Sequence, residues 1–428
     1  MQALAADPTP VSFLTPLGAS YYITSKHLDV RHYQALIDRG WRRSGTLLYK
    51  PDVKRSCCPH YTIRLPAAEF KATRDQRQAQ NRWNRFVLGD AYMSEAKKRY
   101  RKSKEEKARD RNEFILGDAV HEAEYSNLKT PPEPAHKFEV TLDRDTFTEE
   151  KFELYSNYQQ AVHHDAPEDI SRKSFQRFLC DSSLQRQSVD GNDLGSFHQC
   201  YRLDGRLIAM AVLDLLPHAV SGVYFIYHSD FEKYSFGKIS ALREASLAKE
   251  LGLQYYYMGF YIHSCKKMRY KGDYRPQFVL DPETYQWNPL EGELRELLNK
   301  KKYVSLARER RNQPVDGDTP MRETSDDEDD GFQHVEPQKA MAVVAGGMSV
   351  LELGVPGVLS ARELTEQVKL DEMKLMIPQA NLVVQTQDLV MWEQGSVTDP
   401  HSIKGAFAEL AAAVGPEVAR EMVIKLNG

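Results

Sequence analysis

The stretch FHQCYRLDGRLIAMAVLDLL, residues 197–216, holds two strand-forming runs, 197–203 and 207–215, on either side of an Asp204-Gly205 turn. Aspartate and glycine tolerate the backbone of a tight reversal, so the runs should lie as antiparallel neighbours. A third run, 223–228, extends the meander. The apolar period then turns helical over 238–251, and 254–257 returns to strand before a polar loop. Antiparallel strands followed by a helix and a further strand predict an α+β fold.

Upstream, Asp29 is placed as the N-cap of a short amphipathic helix whose apolar face is Val30, Tyr33, Leu36 and Ile37, with Gly40 as its stop. Strands are expected at 47–49 and 61–65, with Cys57, Cys58 and Pro59 between them, and a helix over 76–112. A proline-rich link at 130–135 precedes a strand at 138–142. The segment 149–164 carries Phe152, Tyr155, Tyr158 and Val162 on one helical face. Residues 316–337 lack apolar periodicity and contain a five-acid block, the composition of a disordered linker. The expected organisation is therefore an N-terminal domain over 1–136 with a basic helix within 74–111, a C-terminal domain over 137–312, an acidic linker over 313–340, and a small extension of short helices over 341–428.

The 428 residues are 41% apolar and 28% charged, which excludes a wholly disordered chain. A formal charge of -4 conceals a division: residues 316–428 carry 8 basic and 20 acidic side chains, net -12, leaving a body of net +8. A positive body attracts phosphate-rich or acidic partners. The densest basic run, KKRYRKSKEEKARDR at 97–111, reads as an exposed helix, either a solvated face or a phosphate-contacting one with Lys97, Lys98, Arg99 and Arg101 at its start. No apolar run approaches the ~20 residues that span a bilayer. The first 16 residues, with three prolines and no basic residue, do not read as a secretory signal. Five cysteines, an odd number, argue against a disulfide framework. A cytoplasmic or nuclear protein without membrane or DNA partners is expected.

Three blocks, in order, resemble the arginyl-tRNA-protein transferase family: YQALIDRGWRRSGTLLYK (33–50) with SCCPHYTIR (56–64); FQRFLC (175–180); and SALRE (240–244) leading to YYYMGFYIHSCKKMRYKGDYRP (255–276) and PETY (282–285). The resemblance implies a pair of GNAT-like acyltransferase domains and an enzyme without acetyl-CoA. It implies arginyl-tRNA as donor, and as acceptor the α-amine of proteins beginning with Asp, Glu or oxidised Cys, which become N-degrons for ubiquitin-dependent degradation. A GNAT acetyltransferase is the competing enzyme class. Against it, the turn KYSFGK at 233–238 has one glycine, a weak phosphate cradle. A catalytically impaired tRNA- or degron-binding module is the non-enzymatic alternative.

An aminoacyl ester is already activated, so its attack by an amine needs positioning, a proton acceptor and charge stabilisation, and no covalent intermediate or cofactor. The 263–275 block supplies cations among aromatics to hold an acidic acceptor: Lys267, Arg269, Lys271 and Arg275, with Tyr261 adjoining, and Lys271 and Arg275 favoured for their Gly272 and Pro276 neighbours. A structural surface is the plain alternative. Asp214, Asp230 and Glu244 are candidates to hold the donor guanidinium; Glu244, in the SALRE match, is preferred, with an i,i+4 helix pair as its ordinary reading. His263 is the leading proton acceptor, set against a structural histidine.

The family resemblance also implies an iron-sulfur cluster or zinc held by an upstream Cys-Gly-Tyr-Cys motif together with an adjacent cysteine pair. Here Cys57 and Cys58 are that pair, and no cysteine precedes them, so two of four thiolates are absent. Cys180 and Cys200 read as core thiols. Cys265, beside Lys266 and Lys267, is the candidate reactive one.

Overall fold

The computed structural model describes residues 5–15, 18–106, 108, 113–311, 349–377 and 380–425; for 5–15, 18 and 19 it describes the backbone. The expected acidic linker at 313–340 and the end of the basic run, at 109–111, lie outside the described residues. Two mixed sheets organise the molecule. The first runs in the order β15 (Leu382–Gln385), β14 (Lys374–Ile377), β16 (Val423–Lys425), β1 (Ala5–Thr15), β2 (Gly18–His27), β4 (Leu47–Pro51), β3 (Arg42–Ser44). The second runs β13 (Trp287–Pro289), β12 (Phe278–Leu280), β5 (Tyr61–Pro66), β11 (Tyr255–Tyr261), β10 (Ala219–Tyr227), β9 (Arg206–Leu216), β8 (Asn192–Leu203), β6 (Phe138–Arg144), with β7 (Gln187–Val189) paired to β8.

The meander forms as expected. Asp204 (φ 50°) and Gly205 (φ 85°) take the left-handed backbone of the reversal, and Leu203 faces Arg206 across it. The helix Phe236–Glu250 connects β10 to β11, which run parallel. Asp29 caps the helix Val30–Ile37 by accepting from the Arg31 amide at 2.8 Å. The helix Arg74–Arg99 begins in a capping box, with Thr73 and Gln76 bonded reciprocally. It is broken at Gly89 (φ 75°), where a methyl would meet Ala135 Cβ at 2.7 Å, because residues 135 and 136 cross there and donate to the Leu88 and Val87 carbonyls. Trp83 anchors this helix on the second sheet in edge-on contacts with Phe236, Tyr234 and Phe138 at 4.8, 5.2 and 5.2 Å.

The chain does not divide at residue 136. Strand β5, expected in the N-terminal unit, sits inside the second sheet between β12 and β11, and the helix Arg74–Arg99 packs there too. The extension is not a separate helical unit either: β14, β15 and β16 complete the first sheet, with β16 inserted between β14 and β1. Arg43 ties the two sheets together. Its buried guanidinium donates from Nε and Nη2 to both Asp214 oxygens at 2.8 and 2.5 Å, and from Nη2 to Ser196 Oγ at 2.9 Å. No helix among the described residues is long and apolar enough to cross a membrane.

Candidate functional site

Parallel strands β10 and β11 are bonded over three residues only, Ala219–Ser221 opposite Tyr255–Tyr257. Beyond that point both leave the ladder. The pairing of β10 with β9 shifts between Gly222 and Tyr224, and that of β11 with β5 shifts between Tyr257 and Phe260, with Gly259 at φ 72°. The strands therefore part as a fork with a glycine on each arm, at the carboxyl ends of parallel strands, where α/β sheets commonly place ligands.

Glu244, on the connecting helix, reaches the base of this fork. A methyl placed on Gly222 would lie 2.8 Å from its Oε2, so glycine is needed for the carboxylate to approach the strand. Ser240 Oγ, one turn earlier, donates to Oε1, and Tyr256 also hydrogen-bonds the carboxylate. Burial raises the Glu244 pKa to about 7, against the opposing pull of those hydrogen bonds and of the Lys271 charge. On the other arm, Lys271 Nζ donates to the Phe260 carbonyl at 2.8 Å and would stand 4.0 Å from a methyl on Gly259, which has otherwise only the Gly222 carbonyl nearby, at 3.9 Å. A buried carboxyl that titrates near neutrality thus lies within electrostatic reach of an ammonium.

The other expected site residues are placed elsewhere. His263 is buried with both nitrogens engaged: Tyr261 Oη lies 2.6 Å from Nδ1 and Asn299 Oδ1 lies 2.7 Å from Nε2, and burial holds its pKa low. These contacts make it a structural brace, with Tyr261 fully buried beside it. Arg269 Nε donates to the His263 carbonyl at 2.9 Å. Lys267 is exposed on the short helix Lys266–Arg269. Arg275 is exposed and its Nε lies 3.4 Å from the Glu291 carboxylate. Asp214 belongs to Arg43, and Asp230 lies on the surface between Arg206 and His228. Lys97, Lys98 and Arg99, at the end of the helix Arg74–Arg99, and Arg101 beyond it are exposed.

Cys57 and Cys58 place their sulfurs 3.7 Å apart, and burial, followed by the Cys57 contact, pushes the Cys58 thiol up to about 11. Cys265 is near enough to act on Cys58 electrostatically. Among the described residues, however, no group of three or more His, Cys, Asp or Glu side chains converges so as to hold a metal ion. The pair does not fit a four-thiolate cluster or a zinc site. Cys180 and Cys200 are buried, and burial raises both thiols to about 12, the state of inert core cysteines.

Sequence reasoning missed the two arm glycines, Tyr256, and Arg42. Gly259, Tyr256 and Arg42 lie in the blocks already quoted and Gly222 just ahead of the run 223–228, but alternation along a strand does not reveal where two strands part.

Family models described as arginine-tRNA-protein transferase, N terminus and C terminus, match residues 13–78 and 150–281. The chain is 30% identical to arginyl-tRNA–protein transferase 1 of Arabidopsis thaliana, over 67% of this chain and 72% of that protein. It is 31% identical to arginyl-tRNA–protein transferase 1 of Drosophila melanogaster, over 67% and 81%. An aspartate/glutamate leucyltransferase of Pseudomonas fluorescens is 30% identical over 64% and 90%. Among solved structures, the C-terminal domain of a putative lysylphosphatidylglycerol synthetase from Agrobacterium fabrum matches 53% of this chain and 50% of that one, at 10% identity and a TM-score of 0.26, too low to bear on the fold.

Proposed function

The chain belongs to the arginyl-tRNA-protein transferase family, and on that premise we propose that it is an aminoacyltransferase that moves arginine from arginyl-tRNA to the α-amine of proteins beginning with Asp, Glu or oxidised Cys, with the reaction taking place in the β10–β11 fork. The observation that carries the assignment is Glu244. A buried carboxyl with a pKa of about 7 is matched to an α-ammonium whose ordinary pKa is near 8, so the proton transfer between them is close to balanced at neutral pH. Glu244 takes one proton from the ammonium. That first proton passes to solvent; the freed nitrogen attacks the ester carbonyl, the new C–N bond forms, the C–O bond to the tRNA ribose breaks, and the second proton, which the nitrogen sheds on becoming an amide, passes through Glu244 to the departing oxygen. Lys271 supplies positive charge beside the developing oxyanion.

This role suits Glu244 better than clamping the donor guanidinium. A guanidinium clamp needs a carboxylate that stays ionised, and burial raises the Glu244 pKa to about 7, so that it is only partly charged at neutral pH. The parting of two parallel strands around a connecting helix supports reading the second sheet as a GNAT-like acyltransferase core. The exposed Lys97, Lys98, Arg99 and Arg101 are suited to the tRNA backbone, at a distance from the chemistry. The product would be an N-degron formed in the cytoplasm or nucleus.

The test is transfer of labelled arginine from arginyl-tRNA to a peptide beginning with Asp, by wild type and Glu244→Gln. The expected result is transfer by wild type and a loss of about 100-fold or more in kcat for the variant, within the usual reach of general-base catalysis. Wild-type rates in the variant would move the chemistry away from the fork.

A further inference from the structure

Arg42 and Arg43 are neighbours on β3 with opposite surroundings. Arg43 is fully satisfied by Asp214 and Ser196. Arg42 is equally buried, 5% exposed, yet no carboxylate among the described residues lies within ion-pair distance of it. Its Nη1 donates to the Trp41 carbonyl at 2.7 Å and its Nη2 to the Gly259 carbonyl at 3.3 Å, and its Nε finds no acceptor. The guanidinium lies 5.0 Å from the centre of the Phe260 ring. Asp38 acts on it only at a distance, because that carboxylate is engaged by Tyr257 Oη at 2.5 Å and lies 3.6 Å from Arg64.

A buried guanidinium without a contact counterion is expensive to maintain. Its position accounts for it. Arg42 holds the carbonyl of Gly259 and Lys271 that of Phe260, so two cations from distant parts of the chain are hung on consecutive carbonyls at the bulge that opens the fork. The carboxylate of the fork, Glu244, stands across on the Gly222 arm.

We infer that Arg42, together with Lys271, binds the side-chain carboxylate of the acceptor's first residue, so that its α-amine faces Glu244. Arg42 is thereby the residue that selects acidic acceptors. The inference rests on the transfer proposed for the fork and deepens it. A peptide beginning with Asn, isosteric with Asp but neutral, would leave Arg42 without its anion and bind poorly, since sites built for a charged hydrogen bond discriminate strongly against analogues that lack it.

The experiment measures binding of fluorescent peptides beginning with Asp or Asn to the full chain by anisotropy, beside arginine transfer to each, for wild type, Arg42→Met and Arg42→Lys. Methionine keeps the apolar stem without charge. Wild type should favour Asp over Asn by about 10- to 100-fold, the worth of a charge-assisted pair. Arg42→Met should bring the two affinities within about threefold by weakening Asp alone, with KM for the Asp peptide rising more than kcat falls. Arg42→Lys should keep part of the preference, because a point charge remains without the planar fork. An unchanged Asp:Asn ratio in Arg42→Met, or an equal loss on both peptides, overturns the assignment. If Arg42→Met does not fold, wild-type affinity and KM for the Asp peptide in Arg42→Lys overturn it instead. Absence of transfer in wild type that still binds Asp peptides selectively would count against the chemistry and leave the binding assignment to stand on the ratio.

Discussion

Glu244 holds its proton where an exposed carboxyl would have lost it, and the sign of the consequence is fixed. Its folded pKa of about 7 is above the ordinary value of 4.5, so the folded state binds this proton more tightly than the unfolded chain does. The stabilisation is complete below the ordinary value and is lost as pH rises through about 7. Glu244→Gln keeps the site neutral at every pH. It should therefore gain stability over wild type between pH 5 and 8, by roughly 2–4 kcal/mol at the upper end. Thermal melts at the two pH values check this, and a constant difference would mean that Glu244 is already ionised at pH 5. In the transfer assay, wild type should show kcat/KM rising through pH 7 and the variant should lack that limb. Lys271 and Arg275, equivalent in sequence, should separate: Lys271→Met is expected to lower kcat/KM at least about 10-fold, the worth of one charged hydrogen bond, and Arg275→Met to stay within about twofold. Matching losses would place both cations in the fork.

The elements that shape the fork depend on its glycines. Gly222→Ala puts a methyl 2.8 Å from Glu244 Oε2, and the side chain, held by Ser240 and Tyr256, must move. The expected result is a fall in kcat with a displaced pH midpoint and a folded protein; unchanged kcat and midpoint would show that the carboxylate's position is not critical. What was legible beforehand follows the range of the signal. The Asp204-Gly205 hairpin and the Asp29 cap are local chemistry, read within a few residues. Strand β5 reads as a strand, but its partners, β11 and β12, are about two hundred residues away, and alternation carries no information on which sheet it joins. The strands β14, β15 and β16 are only three or four residues long, too short for period-two alternation to register, so the extension read as helical. At the site, the SALRE and YKGDYRP blocks brought forward Glu244 and Lys271 as separate candidates, and the structure places the Lys271 charge near enough to act on Glu244. The same reasoning could not tell that Arg275 is exposed beside Glu291, that His263 is braced on both sides, or that only one of Arg42 and Arg43 has a carboxylate, since each outcome is decided by a contact from another element.

At the scale of the whole molecule, the sequence suggests an acidic tail that can be removed from a self-sufficient body. The structure predicts otherwise. Beyond the insertion of β16 beside β1, the helix Ile403–Val414 buries Phe407, Leu410 and Val414, and its Ala413 carbonyl accepts from the buried Trp41 Nε1 at 3.1 Å. Glu421 lies 2.9 Å from His32, and the Gly357 carbonyl accepts from Arg39 and from Tyr285, which bridges to the second sheet's side of the molecule. Removing residues 349–428 would expose Trp41 and its neighbours and leave β1 as an open edge, the usual template for aggregation. Loss of one fully buried side chain's packing is worth about 1.5–3 kcal/mol, and several such contacts are involved, comparable to the ~5–15 kcal/mol that holds a typical domain together. The truncated chain should therefore be insoluble or lose its cooperative melt. A second variant separates the sheet from the linker: replacing residues 313–340 with a Gly/Ser segment of equal length keeps the extension while removing the acidic block. That variant should melt as wild type does and retain transfer, with tRNA binding at low salt equal or stronger because acidic charge has been removed. A soluble, cooperatively folded, active truncation would show that β16 and the helix Ile403–Val414 only decorate the first sheet, and the link from Arg43 to Asp214 would then suffice to hold β3 and Arg42 against the fork.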